Sequence, residues 1–131
     1  MAINELEVCF NSGISRVTKM RASYPYKFLQ SNLADETFAS VFVLGFGGGA
    51  VSGDSQEMAV NIKENAILLL RTQGSTKIFK SVNGKYSSQN LVVNLSSGSL
   101  LAFLPDPTVC FKGSRYIQQQ TYNLEESARS C

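Results

Sequence analysis

The sequence predicts an all-β protein. Apolar and polar residues alternate with a period of two along most of the chain, as where Leu6, Val8 and Phe10 interleave with Glu5, Glu7 and Cys9. Turn signals recur at roughly the 8–12-residue spacing of all-β folds. No segment sustains the stripe of an amphipathic helix. The length of 131 residues allows one domain with a modest core.

Taken in order, the first strand turns at Asn11-Ser12-Gly13 and returns over 14–20 as a hairpin. Tyr24-Pro25-Tyr26-Lys27-Phe28-Leu29 reads as an aromatic loop whose proline holds its predecessor extended, and 30–36 as polar and irregular. The run 38–44 is a strand, and the alternation of Met58, Val60 and Ile62 marks another. Lys63-Glu64-Asn65 turns the chain into 66–70, a continuously apolar run expected to be covered on both faces. The stretch 76–82 runs into Asn83-Gly84, a strong hairpin signal, with Leu91, Val93 and Leu95 alternating beyond it. Ser96-Ser97-Gly98 turns again, and the strand over 99–104, whose apolar run 100–104 is likewise expected to be covered on both faces, stops at Pro105-Asp106-Pro107. Tyr116, Gln118, Gln120 and Tyr122 share one face of a last strand, and the tail from Leu124 has room for one helical turn.

Composition narrows the function. The chain has no histidine, which removes Ser-His and Cys-His nucleophiles, HExxH zinc sites and imidazole bases. The net charge of +2 is too small for a nucleic-acid surface. No apolar run approaches the ~20 residues of a membrane span. The three cysteines, Cys9, Cys110 and Cys131, form no C-x-x-C, and the N-terminal residues lack a secretory pattern. A cytoplasmic location is therefore expected.

The chain is organised around residues 44–54, where five of eleven residues are glycine. Gly45, Gly47 and Ala50 fit G-x-G-x-x-A after a strand, and Glu64 falls near the position of a ribose-binding acid. That fingerprint needs a helix starting in the glycines, but Val51-Ser52-Gly53-Asp54 breaks the chain again, and no Lys-Ser or Lys-Thr follows. The stretch is read instead as a bent crossing that brings two sheet layers close.

Two further stretches are too specific for generic strands: Arg71-Thr72-Gln73-Gly74-Ser75-Thr76-Lys77-Ile78-Phe79, and Leu101-Ala102-Phe103-Leu104-Pro105-Asp106-Pro107-Thr108-Val109-Cys110-Phe111. With the glycine stretch, in this order and spacing, they resemble the urease accessory protein family UreD, also called UreH. Gly13-Ile14-Ser15-Arg16, Tyr24-Pro25-Tyr26-Lys27, Gln89 and Ser114-Arg115-Tyr116 support the resemblance, which runs from about Phe10 to Leu124. Cys110, where many relatives carry proline, is similar to the eukaryotic branch.

The resemblance implies an elongated two-sheet β stack, β-helix- or sandwich-like, of which this chain is the N-terminal half. Residues 1–124 would form that domain and 125–131 a divergent tail, as in a truncated isoform. It implies a chaperone rather than an enzyme, one that assists nickel insertion into apo-urease together with a UreF-type accessory protein and a UreG-type GTPase. Nickel would be transient cargo, with no tightly bound cofactor and no nucleic-acid or membrane partner.

Residue chemistry suits transit, because oxygen ligands hold nickel more weakly than imidazole or thiolate does. Asp54 and Asp106 are the candidate metal-facing carboxylates; the alternative for each is a turn residue capping its own backbone. Lys77 is a candidate counter-charge or a solvated strand lysine. Gly45, Gly47, Gly48, Gly49, Gly53, Gln73, Thr76, Lys77, Pro105 and Pro107 are the motif residues expected to fix the structure. The alternative function is a small hydrolase or transferase using Asp54, Asp106 and Lys77.

Overall fold

The computed structural model describes residues 2–22, 26–31, 37–45, 55–73, 76–78, 87–104, 108–110 and 116–130. Every regular element among them is a strand. In chain order these are β1 (Ala2–Asn11), β2 (Ile14–Arg21), β3 (Tyr26–Ser31), β4 (Ala39–Gly45), β5 (Ser55–Ile62), β6 (Ile67–Gln73), β7 (Thr76–Ile78), β8 (Ser87–Leu95), β9 (Leu100–Leu104), β10 (Thr108–Cys110), β11 (Tyr116–Leu124) and β12 (Arg129–Ser130). They form a first sheet in the order β11-β8-β5-β1-β2, a second in the order β12-β9-β6-β4-β3, and a short β10-β7 pair.

From β4 onward the chain winds between the two sheets, laying β5, β8 and β11 in one and β6, β9 and β12 in the other. Each new strand stacks parallel on its counterpart one coil earlier. Met58 pairs with Leu91, 33 residues on, and Leu68 pairs with Leu101 at the same step. Only β2 and β3 run antiparallel to their neighbours, and they close the same end of both sheets.

Alternation decides what the stack buries. Leu6, Val60 and Val93 lie in one rung of the first sheet, and Ala39, Leu68 and Leu101 in one rung of the second; all six are buried in the core between the sheets. Each such leucine or valine contributes about 1.5–3 kcal/mol through burial. The buried Asn4 donates from Nδ2 to the Glu57 carbonyl at 3.0 Å, so its burial leaves that donor satisfied.

The sheets are joined at one end by three stacked turns, 63–66, 96–99 and 125–128. Each closes with the same bond: Ala66 N to Lys63 O at 3.0 Å, Ser99 N to Ser96 O at 3.1 Å and Ala128 N to Glu125 O at 3.0 Å. Successive turns are also bonded to one another, as Asn65 N to Ser97 O and Arg129 N to Ser99 O show. The third position of each turn is left-handed: Asn65 at φ 63°, Gly98 at 71° and Ser127 at 65°. The turn of the β1–β2 hairpin likewise holds Ser12 and Gly13 at positive φ.

The Asn83-Gly84 turn lies outside the described residues; of the described strands on either side of it, β7 pairs with β10, and β8 with β5 and β11. Three expectations are corrected. The 66–70 and 100–104 runs are covered on one face only, since Leu68, Leu70 and Leu101 are buried while Ile67 and Leu104 are exposed. Tyr26 to Leu29 belong to β3 rather than a loop, because β4 offers them a ladder. The tail forms a turn and β12, paired with β9, rather than a helical turn.

Candidate functional site

The three motifs meet at the end of the stack opposite the tight turns. Strands β4, β6 and β9 are parallel neighbours, and Phe42, Arg71 and Leu104 share one rung across them. One rung-pair further, Leu44 faces Gln73. All three strands therefore deliver their motif segments to the same end of the second sheet.

The second and third motifs are the same structural position in successive coils. Arg71 lies opposite Leu104, and beyond the two links Thr76 lies opposite Thr108 and Lys77 opposite Val109. The glycine stretch leaves β4 in the second sheet and enters β5 in the first, so it crosses between layers as its composition suggested.

The predicted residues are distributed along this seam. Gly45 ends β4 opposite Tyr26, Gln73 ends β6, and Thr76 and Lys77 form part of β7. Gly47, Gly48, Gly49, Gly53, Asp54, Pro105, Asp106 and Pro107 lie outside the described residues. Chain connectivity attaches both aspartates to the motif end: Asp54 directly precedes β5, and Asp106 belongs to the link from β9 to β10.

Arg71 was not singled out by its sequence motif, yet it carries the most distinctive geometry here. Its Nη2 donates to Ser40 Oγ at 3.2 Å, and its guanidinium carbon stands 4.3 Å from the centre of the Phe42 ring. Its Nε is buried and, among the described residues, has no hydrogen-bond partner. The available signal was a lone cation within the strand Ile67–Gln73, whose other side chains are uncharged.

The outer face of the first sheet is polar. Asn94 donates from Nδ2 to Asn61 Oδ1 at 2.9 Å, and Asn123 donates to Asn94 Oδ1 at 2.8 Å, making an amide ladder across three coils. A shallow groove of about 230 Å³ runs between Glu57, Asn90 and Gln119 on this face. It is smaller than the roughly 300–1,000 Å³ of most small-molecule sites. Cys9 is a free thiol beside Thr18 Oγ1, at 3.3 Å. Among the described residues no three His, Cys, Asp or Glu side chains group as metal ligands, and no helix is long and apolar enough to cross a membrane.

The family model described as UreD urease accessory protein matches residues 2–131. The chain belongs to the UreD urease accessory protein family. It is 35% identical over 127 residues to urease accessory protein D of Arabidopsis thaliana, covering 95% of this chain and 43% of that protein. It is 38% identical over 117 residues to urease accessory protein UreD of Sorangium cellulosum, covering 89% and 36%. A urease accessory protein ureD-like protein of Schizosaccharomyces pombe is 35% identical over 115 residues, covering 87% and 39%. The chain thus spans about two-fifths of the length of these UreD relatives. The match includes all three motifs, so the seam where they meet is the place to look for what this UreD chain does.

Proposed function

We propose that the chain acts in urease maturation as a cytoplasmic chaperone without enzymatic turnover. In this reading it assists nickel insertion into apo-urease beside a UreF-type accessory protein and a UreG-type GTPase. The observation that carries the reading is the convergence of three family motifs on one end of a parallel stack. Residues of a motif set that only filled the core would be spread through it; these are gathered where chain segments leave the sheets.

The chemistry at that end suits a passing ion. Asp54 and Asp106 are the carboxylates that connectivity brings there, and oxygen ligands release nickel more readily than imidazole does. Nickel is cargo in this scheme, and the chain's contribution is to present oxygen donors and hold partners.

The test is reconstitution. Apo-urease, the UreF-type protein and the UreG-type GTPase are co-expressed with the chain, and co-purification and nickel-dependent urease activity are read. Co-purification with at least one of them is expected. Absence of any association would overturn the reading. A hydrolytic turnover of the isolated chain, lost in Asp106→Asn, would establish the alternative hydrolase.

A further inference from the structure

The two outer faces of the stack differ in kind. The first sheet presents Glu5, Glu7, Glu57 and the amide ladder, with Val92 at 36% exposure among them. The second presents Leu29 at 49% exposure, Ile67 at 39% and Leu104 at 57%, with Phe42 and Leu69 half-buried between them. Singly exposed leucines need no explanation, but apolar residues contiguous over adjacent strands mark an interaction surface.

Charge on this face has one sign. The five strands β3, β4, β6, β9 and β12 contain Lys27, Arg71 and Arg129 and no aspartate or glutamate. Arg71 sits centrally, its guanidinium over the Phe42 ring, with one N–H on Ser40 and a buried Nε that no described residue accepts. A buried donor without an acceptor is a standing cost. Arginine is also the side chain best shaped to take a carboxylate in a two-pronged bond.

We propose that the outer face of the second sheet docks a protein partner through a segment in which a carboxylate lies between apolar side chains. The carboxylate engages the Arg71 guanidinium and takes up Nε as the side chain tilts away from Phe42. Ile67, Leu104 and Leu29 receive the flanking apolar groups. A second copy of this chain is a poor occupant, because face-to-face pairing sets cations against cations. A membrane is also a poor one, since an interfacial face carries its cations at the rim, whereas Arg71 lies in the middle. The proposal rests on the reading above that the chain works inside a protein assembly, and it adds the face and the chemistry of the contact.

The experiment is photo-crosslinking in cells that express the full chain with apo-urease, the UreF-type protein and the UreG-type GTPase. p-Benzoylphenylalanine replaces Leu104, or Val92 on the opposite face as control. The expected result is a protein adduct from position 104, mapped to a segment holding Asp or Glu among apolar residues, and little from position 92. Its yield falls at least tenfold in Arg71→Glu and returns when the partner's carboxylate is changed to arginine. That charge swap keeps the test decisive even if Arg71→Glu weakens the fold. An adduct to a second copy, no protein adduct, binding instead to vesicles containing anionic lipid, or an unchanged yield in Arg71→Glu overturns the proposal. An adduct with the expected chemistry on a protein unrelated to urease maturation supports the docking face and sinks the proposed function, so the two failures are distinguishable.

Discussion

Gly98→Ala should destabilise the stack by about 1.5–3.5 kcal/mol, from two separable causes. Gly98 holds φ at 71° in the middle of the three stacked turns. A left-handed conformation costs a non-glycine residue roughly 1–2 kcal/mol. The added Cβ would also land on Asn65 Oδ1, well inside contact distance. Asn65 is exposed and able to turn away, at a rotamer cost of about 0.5–1.5 kcal/mol. Against a net stability of about 5–15 kcal/mol this is a large fraction. It corresponds to a fall in melting temperature of roughly 5–12 °C for a chain of this size. The assay is denaturant unfolding followed by circular dichroism, on the wild type, Gly98→Ala, Asn65→Gly and the double variant. Asn65→Gly alone relieves the left-handed Asn65, so the comparison is made within its background, where Gly98→Ala should keep the φ penalty and lose the collision. If Gly98→Ala is neutral in the wild type, or costs the same in both backgrounds, the stacked-turn account is wrong.

Three further outcomes are expected. Asn94→Ala removes both bonds of the amide ladder and should cost about 1 kcal/mol, since each is an exposed side-chain bond of modest net value; a change near zero in an unfolding titration would make the ladder ornamental. Desolvation raises the Tyr122 pKa above 10.0, so the folded state keeps that proton to higher pH than the unfolded chain. Its contribution is level below about pH 10 and is lost as pH rises through the folded pKa; Tyr122→Phe should flatten that part of the alkaline limb relative to wild type. Calorimetric titration with nickel in a non-chelating buffer should find binding no tighter than micromolar, because the sequence offers no imidazole; a stoichiometric nanomolar site would contradict cargo transit.

The strands were legible because alternation is local. Met58, Val60 and Ile62 announce their buried face whatever lies beside them. Pairing was not legible, because a period of two is the same in a hairpin and in a parallel coil. The Asn83-Gly84 signal pointed to the nearest strand as partner, whereas the actual partners lie about thirty residues away, at the spacing that also separates Asn61 from Asn94. The apolar runs 66–70 and 100–104 misled for a related reason. Hydrophobicity on both faces predicts cover on both, and here one face is left outward. Of the candidate site, sequence motifs named the segments but not their meeting place, which depends on coil stacking. Arg71 was hidden within a motif because its distinguishing contacts, Ser40 and Phe42, come from another strand.

The stack separates stability from function along its length. At one end, three tight turns are bonded to one another and fix the coil step. At the other, longer connections carry the motif residues and leave the sheets where β4, β6 and β9 finish side by side. Changes at the turn end, such as Gly98→Ala, act through the fold alone and should lower urease maturation only in proportion to folded protein. Changes at the motif end that leave the melting transition in place should lower maturation while the amount of folded protein stays constant. Asp106→Asn is the sharpest case, since it keeps the side-chain shape and removes the charge. If it reduced folded protein and maturation in equal measure, Asp106 would be a turn-capping residue and the transit role would pass to other oxygens.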